Sequence, residues 1–249
     1  MMAIVGWSTG AGLQLWPALA ITTAFAILAW LIKGVNRSGT VAGAVVSFLL
    51  LRSAGLGAFA VLVSVFALTW ISTRFGYARK LHRGTAEKSN GRNGFQVLAN
   101  LGIATSCVAL FAITDRQVFL LACVAALAEA AADTVSSEYG QATSDTALLI
   151  TTLERVPAGT DGGISMGGTV AGIIAAIVVS FVALVAGLLA WRWLWVSATA
   201  AVVGMLADSL LGASLERKHV LGNDAVNLLG TLISALLAAG LFMFLNQVF

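Results

Sequence analysis

The feature that most constrains this chain is a succession of apolar runs, each long enough or nearly long enough to cross a bilayer. Eight can be traced, at about 16–32, 39–51, 56–73, 96–114, 117–137, 164–189, 192–213 and 225–247. A hydrocarbon core of roughly 30 Å needs about 20 helical residues, and inside lipid only helices and closed barrels satisfy every backbone polar group. Runs of this length select helices. With 59% hydrophobic and 10% charged residues and a mean hydropathy of +0.94, the expected class is an all-α polytopic membrane protein with about eight transmembrane helices, forming one transmembrane domain over 1–249. The run at 39–51 is short, and it reads either as a full crossing or as one arm of a hairpin with 56–73. The first fifteen residues lack Lys and Arg and no small-residue cleavage site follows the first run, so no cleavable leader is expected.

The basic residues test the alternation. One side receives Lys33, Arg37, Arg74, Arg79, Lys80, Arg83, Lys88, Arg92, Arg155, Arg217 and Lys218; the other receives Arg52, Arg116 and Arg192. Cytoplasmic loops carry such an excess, so both termini are expected on the non-cytoplasmic side of a bacterial inner (plasma) membrane or its equivalent. Topology accounts for the net charge of +3 and leaves no call for nucleic acid; membrane lipids are the expected surroundings, and the six basic residues between 74 and 92 could also meet an anionic headgroup or ligand. Cys107 and Cys123 lie within apolar runs without metal-ligand spacing and read as packing residues.

Two short words recur at one displacement. "GTVAG" occurs at Gly39–Gly43 and Gly168–Gly172, and "VLANLG" at Val97–Gly102 is echoed by "VNLLG" at Val226–Gly230, each pair 129 residues apart. The shift carries the second run onto the sixth and the fourth onto the eighth, suggesting internal repeats at 16–114 and 117–247 with a site between the halves.

Polar residues gather at one depth. Glu129 and Asp133 are spaced i, i+4 in the inner half of the fifth run and share a helix face. Asp208 sits near the inner end of the seventh run. "GNDAVN" brings Asn223, Asp224 and Asn227 to the start of the eighth, and "NGRNGFQVLAN" brings Arg92 and Asn100 to the start of the fourth. Before the sixth lies a Gly-rich loop carrying Arg155, Gly159, Thr160, Asp161, Gly162 and Gly163. A carboxylate at a helix centre costs about 2.5–3.5 kcal/mol on insertion scales, so Glu129, Asp133 and Asp208 call for a function. Glu138 and Asp224 lie nearer helix ends, where that cost falls. Asn100 and Asn227 equally suit interhelical hydrogen bonds, and the glycines from 159 to 172 equally suit close helix packing.

Clustered carboxylates are ligands for Mg²⁺, which is usually held by one or two carboxylates together with substrate phosphates. Backbone N–H groups before a helix and a guanidinium are phosphate ligands. Together they describe phosphoryl or nucleotidyl transfer between a soluble nucleotide and a lipid. Neither a Walker A motif nor a kinase Gly-rich loop is present. An ion-coupled transporter, a lipid cytidylyltransferase and a membrane scaffold are the competing readings.

The blocks "ADTVSSEYG" (132–140), "RVPAGTDGGIS" (155–165), "ADSLLGASLE" (207–216), "NDAVNLLGT" (223–231) and, more loosely, "GRNGFQVLANLG" (91–102) resemble, in order over roughly 35–235, the motifs of the integral membrane family called domain-of-unknown-function ninety-two. That family includes the plant phytyl-phosphate kinase of the vitamin E pathway. The resemblance implies CTP-dependent phosphorylation of an isoprenyl monophosphate to its diphosphate, with Mg²⁺ as cofactor. Carried onto this sequence, it implies metal held by Asp133 and Asp208 with Glu129 or Glu138. Arg155 and the N–H groups of the 159–163 loop would face the transferred phosphoryl, and Asn223, Asp224 and Asn227 would orient nucleotide or a second ion. Val135 and Asp161 depart from the residues expected at those two places in the pattern.

Overall fold

The computed structural model describes residues 12–248; the segment 1–11, on which the reading of a missing leader partly rests, lies outside them. The helices are α1 (Leu15–Leu31), α2 (Arg37–Arg74), α3 (Tyr77–His82), α4 (Gly94–Thr114), α5 (Gln117–Thr143), α6 (Met166–Val185), α7 (Trp191–Leu211) and α8 (Asn223–Val248). Six of them are long and apolar enough to cross a membrane, and α1 is a shorter apolar helix. The all-α polytopic class expected from the apolar runs is the one observed.

The short second run is resolved by a glycine. Within α2 the helix breaks at Gly55, whose φ of 73° and ψ of −163° are non-helical. A straight helix would put Gly39 and Thr73 about 51 Å apart, yet both line one cavity. The contacts to α1 explain how. Leu51 accepts from the Leu13 N–H at 2.9 Å, while Ile32, at the far end of α1, accepts from Trp70 Nε1 at 3.2 Å and Arg74 Nη2 at 2.6 Å. Residues 37–54 therefore run back along α1 and 56–74 run forward beside it. The two arms and α1 make three crossings, and α4 to α8 make five more. Alternation then puts the eleven basic residues counted above at one end of the bundle and Arg52, Arg116 and Arg192 at the other.

Helix α5 is the axis. Every residue from Leu120 to Ala132 is buried, and α2, α4, α6, α7 and α8 all pack on it. Its composition allows this, because "ACVAALAEAAA" lets neighbouring backbones come close, as the weak drive for helix association in lipid requires. Gly168 and Gly172 of α6 approach closest: a Cβ would lie 2.5 Å from Ser136 O at the first and 2.8 Å from Ala132 O at the second. The second "GTVAG" thus serves packing. Buried hydroxyls add interhelical bonds, Ser180 to Ser197 at 3.0 Å and Ser234 to the Ala125 carbonyl at 3.0 Å.

At the basic end, α3 clamps the last turn of α5. Arg79 and Arg83 donate to the carbonyls of Gln141, Ala142 and Ser144 and pair with Asp145, so cations meet the negative end of the helix dipole. Lys80, fully buried, donates to the carbonyls of Ser72 and Thr73 and pairs with Glu138. These three basic residues hold helices together. The 144–165 connection, expected as a loop, forms a three-stranded antiparallel sheet in the order β2–β1–β3: β1 (Thr146–Leu149), β2 (Arg155–Pro157) and β3 (Gly163–Ile164). Ala147 and Leu149 point inward and Thr146 and Leu148 outward, the period-two pattern of a half-buried strand.

The fold sets Ser89 and Gln247, both exposed, at opposite ends of the bundle. Cysteines introduced at these positions are expected to react with a membrane-impermeant maleimide from opposite sides, Ser89→Cys from the cytoplasm. Reaction of both from one side would overturn the alternation.

Candidate active site

The inner ends of α5 and α7, the sheet and the start of α8 enclose a polar cavity of about 180 Å³. Its acidic lining comes from four places: Asp133 on α5, Asp161 in the Gly-rich loop, Asp208 on α7, and Glu216 just beyond α7. Ser136, Gln141, Thr160, Ser165, Ser209 and Asn223 supply neutral polar groups, and no Lys, Arg or His lines it among the described residues. A cavity with four carboxylates and no basic side chain attracts cations and repels free phosphate.

Beneath this cavity the carboxylates go deeper. Glu129 is 1% exposed and lies one turn below Asp133. A Cβ built on Gly230 of α8 would sit 2.6 Å from Glu129 Oε1 and 3.2 Å from Asp208 Oδ2, so only glycine leaves room for the two oxygens to approach. A Cβ on Gly204 would meet the Glu129 side chain at 2.7 Å. Both Glu129 Oε1 and Asp208 Oδ2 are buried without a hydrogen-bond partner among the described residues. Buried acceptors are nearly always paired, and two orphaned carboxylate oxygens aimed at one point fit a cation. No three His, Cys, Asp or Glu side chains close into a complete cage among the described residues. An incomplete set suits Mg²⁺, which keeps waters and takes substrate phosphates as ligands.

Glu216 was not singled out from the sequence. It lies eight residues after Asp208, out of register with it on a regular helix. The chain passes through a π-helical turn, Gly212–Glu216, in which Arg217 N–H donates to the Gly212 carbonyl. One extra residue in a turn moves the register so that 216, not 215, faces the cavity with 208. Asp133, Asp161 and Asp224 are close enough for their charges to act on Glu216. Gly230 was visible only as part of the recurring "VNLLG".

Several expected site residues are placed elsewhere. Glu138 is not brought to the cavity lining: its carboxylate is paired with the buried amine of Lys80. Arg155 is exposed on the edge strand β2, outside the lining, because strand pairing turns it away from the loop that follows. In the loop, Gly159, Thr160, Asp161, Gly162 and Gly163 all line the cavity, but the Gly163 N–H is already given to the Thr160 carbonyl at 2.8 Å. Gly162 has φ 74° and lies against the π turn, where a Cβ would meet Ala213 N at 2.4 Å. These glycines permit close approach more than they cradle an anion. Asn223 lines the cavity, while Asp224 and Asn227 stand outside the lining. Arg92 and Asn100 line a second cavity on the other side of α5. From this second cavity Arg92 reaches α5, donating from both terminal nitrogens to Thr134 Oγ1 at 3.4 Å, next to Asp133.

Comparison with known proteins gives one family. The model of the family described as "Integral membrane protein DUF92" matches residues 20–235. An uncharacterised membrane protein of Methanocaldococcus jannaschii, MJ0933, is 30% identical over 231 residues, covering 90% of this chain and 93% of its own. Protein VTE6, chloroplastic, of Arabidopsis thaliana is 30% identical over 226 residues, covering 87% of this chain and 68% of its own. Protein PGR of the same plant is 28% identical over 225 residues, covering 80% of this chain and 78% of its own. No solved structure matches.

A methyl group at Gly230 tests the convergence of carboxylates. Gly230→Ala gains about 1 kcal/mol of helix propensity yet places its methyl against Glu129 Oε1. Mg²⁺ is expected to raise the unfolding temperature of the wild type in detergent, and to leave Gly230→Ala and Asp208→Asn unmoved while both remain folded. An undiminished Mg²⁺ shift in both variants would contradict the cation site.

Proposed function

The chain belongs to the DUF92 integral membrane protein family, and from that membership and the geometry of the polar cavity we propose that it is a phosphotransferase: it moves the terminal phosphoryl of CTP onto an isoprenyl monophosphate at the cytoplasmic membrane face. The family resemblance, in which plant phytyl-phosphate kinase is included, supports the substrate class and CTP. The observation that carries the reading is the cavity's composition. Four carboxylates without a basic partner can receive a nucleoside triphosphate only together with divalent metal, which is how phosphoryl transfer is commonly arranged.

Bound Mg²⁺ would supply charge neutralisation at the nucleotide phosphates, with Asp133 and Asp208 as its protein ligands and Glu129 beneath them. The chain's own residues do the rest. Thr160, Ser136 and Asn223 are placed to hydrogen-bond phosphate or ribose oxygens. At about 180 Å³ the cavity is below the roughly 300 Å³ at which whole-ligand pockets begin, so it encloses the phosphates and leaves the nucleoside over the sheet. Arg92, on the far side of Asp133, holds the acceptor phosphate. One oxygen of that phosphate forms the new bond to the terminal phosphorus, the bond from that phosphorus to its bridging oxygen breaks, and nucleoside diphosphate leaves. The acceptor is already an anion, so no side chain need take a proton.

Transport sites near the membrane midplane would draw lining residues from mid-depth, whereas this cavity is lined from the basic end of the helices. Nucleotidyl transfer would use the same cavity with attack two phosphates further in, at the α-phosphorus, and pyrophosphate as the leaving group. Label separates the two chemistries: purified protein with Mg²⁺, CTP and farnesyl or phytyl monophosphate is expected to move γ-label, not α-label, into a lipid diphosphate. Asp133→Asn and Asp208→Asn are each expected to lower turnover at least about a hundredfold, roughly 3 kcal/mol of transition-state stabilisation. Transfer of α-label would make the protein a cytidylyltransferase, and no transfer from any of the four common nucleotides to either lipid would remove the enzymatic reading.

A further inference from the structure

The N-terminal half carries a second cavity, of which the phosphoryl-transfer reading uses only Arg92. It lies between α1, the two arms of α2 and α4 and measures about 430 Å³. Phe25, Leu62, Val65, Phe66 and Leu101 form apolar walls, and Gly43, where a Cβ would meet nothing within 4 Å, leaves space open. Its basic end differs in kind. Lys33, Arg74, Lys88 and Arg92 stand there, with Glu87 as the one carboxylate, and Glu87 accepts from Gln96 Nε2 at 3.1 Å.

Resting on the phosphoryl-transfer reading, we infer that this cavity is the acceptor site: it binds a single-chain isoprenyl monophosphate, tail between the helices and phosphate at Arg92. Charge complementarity chooses the class of ligand. An apolar chamber closed at one end by four cations fits an amphiphile with one apolar chain and one anionic end. The volume lies in the range of pockets that hold one small ligand, which suits one prenyl chain and is tight for the paired acyl chains of a phospholipid. The cavity is lined along α2 from Leu62 to Arg74, about 18 Å of helix, a length that takes several isoprene units.

Position supports the same assignment. Ala130 lines this chamber and Asp133 lines the polar one; they are three residues apart on α5, so the two cavities border the same turn of that helix. The Arg92 guanidinium reaches that turn at Thr134. A phosphate held by Arg92 is therefore presented toward Asp133 and Asp208, where the donor phosphates would lie. A wider, open recess on the outer side shares Lys33, Val35 and Ser89 with the chamber and adds Trp30, Arg37 and Asn90. Trp and basic residues are characteristic of the membrane–water interface, so the recess gives a lipid phosphate a sideways route from the headgroup layer.

Gly43 supplies the test. A Cβ there would meet nothing within 4 Å, so Gly43→Leu projects into the chamber and keeps the helix. Equilibrium binding of radiolabelled farnesyl monophosphate to purified protein, without nucleotide, is expected to weaken about tenfold or more in Gly43→Leu, because roughly two methylenes of tail lose their place. Mn²⁺–nucleotide binding should stay unchanged. A diazirine on the farnesyl tail is expected to crosslink to peptides of α1, α2 and α4. Unchanged farnesyl monophosphate affinity in a folded Gly43→Leu, or crosslinks confined to α6–α8, would overturn the site. Equal competition by inorganic phosphate or by phosphatidic acid would overturn the single-chain ligand class. Binding here without phosphoryl transfer would sink the kinase reading and leave the site standing; transfer with an unaltered KM for farnesyl monophosphate in Gly43→Leu would do the reverse.

Discussion

Two carboxylates can share a face of a membrane helix only if that face never meets lipid, and α5 is built to keep this condition. Small residues along its length let five helices close around it, and the close approach of Gly168 and Gly172 removes the last space on the α6 side. The rest of the site follows from that enclosure. Once Glu129 and Asp133 are inside protein, their unmet charge must be answered by another group. No basic side chain lines the polar cavity among the described residues, Arg92 reaching α5 only at Thr134 beside Asp133, and next to Gly230 both Glu129 and Asp208 leave oxygens unpaired. Elsewhere the same helix shows the alternative solution, because Glu138 is matched by the buried amine of Lys80. One helix thus carries a neutralised acid that fixes structure and unneutralised acids that await a ligand.

The division between the halves extends this logic. Helices α5 to α8 present negative charge and small polar groups, whereas α1, α2 and α4 enclose apolar volume with cations at its end. On the phosphoryl-transfer reading proposed above, a triphosphate with its metal and an isoprenyl phosphate would have opposite requirements, and α5 would be the wall through which they meet. The basic residues between 74 and 92 are accordingly of two kinds: Arg79, Lys80 and Arg83 close helix ends, while Arg74, Lys88 and Arg92 face the chamber.

The bundle was legible in the sequence because the length of an apolar run and the placement of Lys and Arg are local quantities. Asp133, Asp208 and Glu129 were legible for a related reason: charge inside such runs is costly wherever the helix packs. What was hidden depended on geometry that no spacing records. Gly55 separates two antiparallel helical arms by a single pair of non-helical dihedral angles. Glu216 reaches the cavity only through the π turn, and Arg155 leaves it only because β2 pairs with β1. Glu138 is paired instead with Lys80, 58 residues away. The residues of "GTDGG" do line the cavity, but the contact of Gly162 with Ala213 across the π turn is a tertiary fact that no spacing records.

The account stands on the claim that the two cavities are the two sides of one reaction centre, bordering the same turn of α5. Paramagnetic relaxation reads their separation directly. With Mn²⁺ and a non-hydrolysable CTP analogue bound, the ³¹P resonance of farnesyl monophosphate held by the protein should broaden strongly. The broadening should vanish in Asp133→Asn and Asp208→Asn while the lipid stays bound. A resonance that remains sharp in the wild type, with metal–nucleotide and lipid both bound, would place the acceptor phosphate far from the carboxylates and contradict the shared centre.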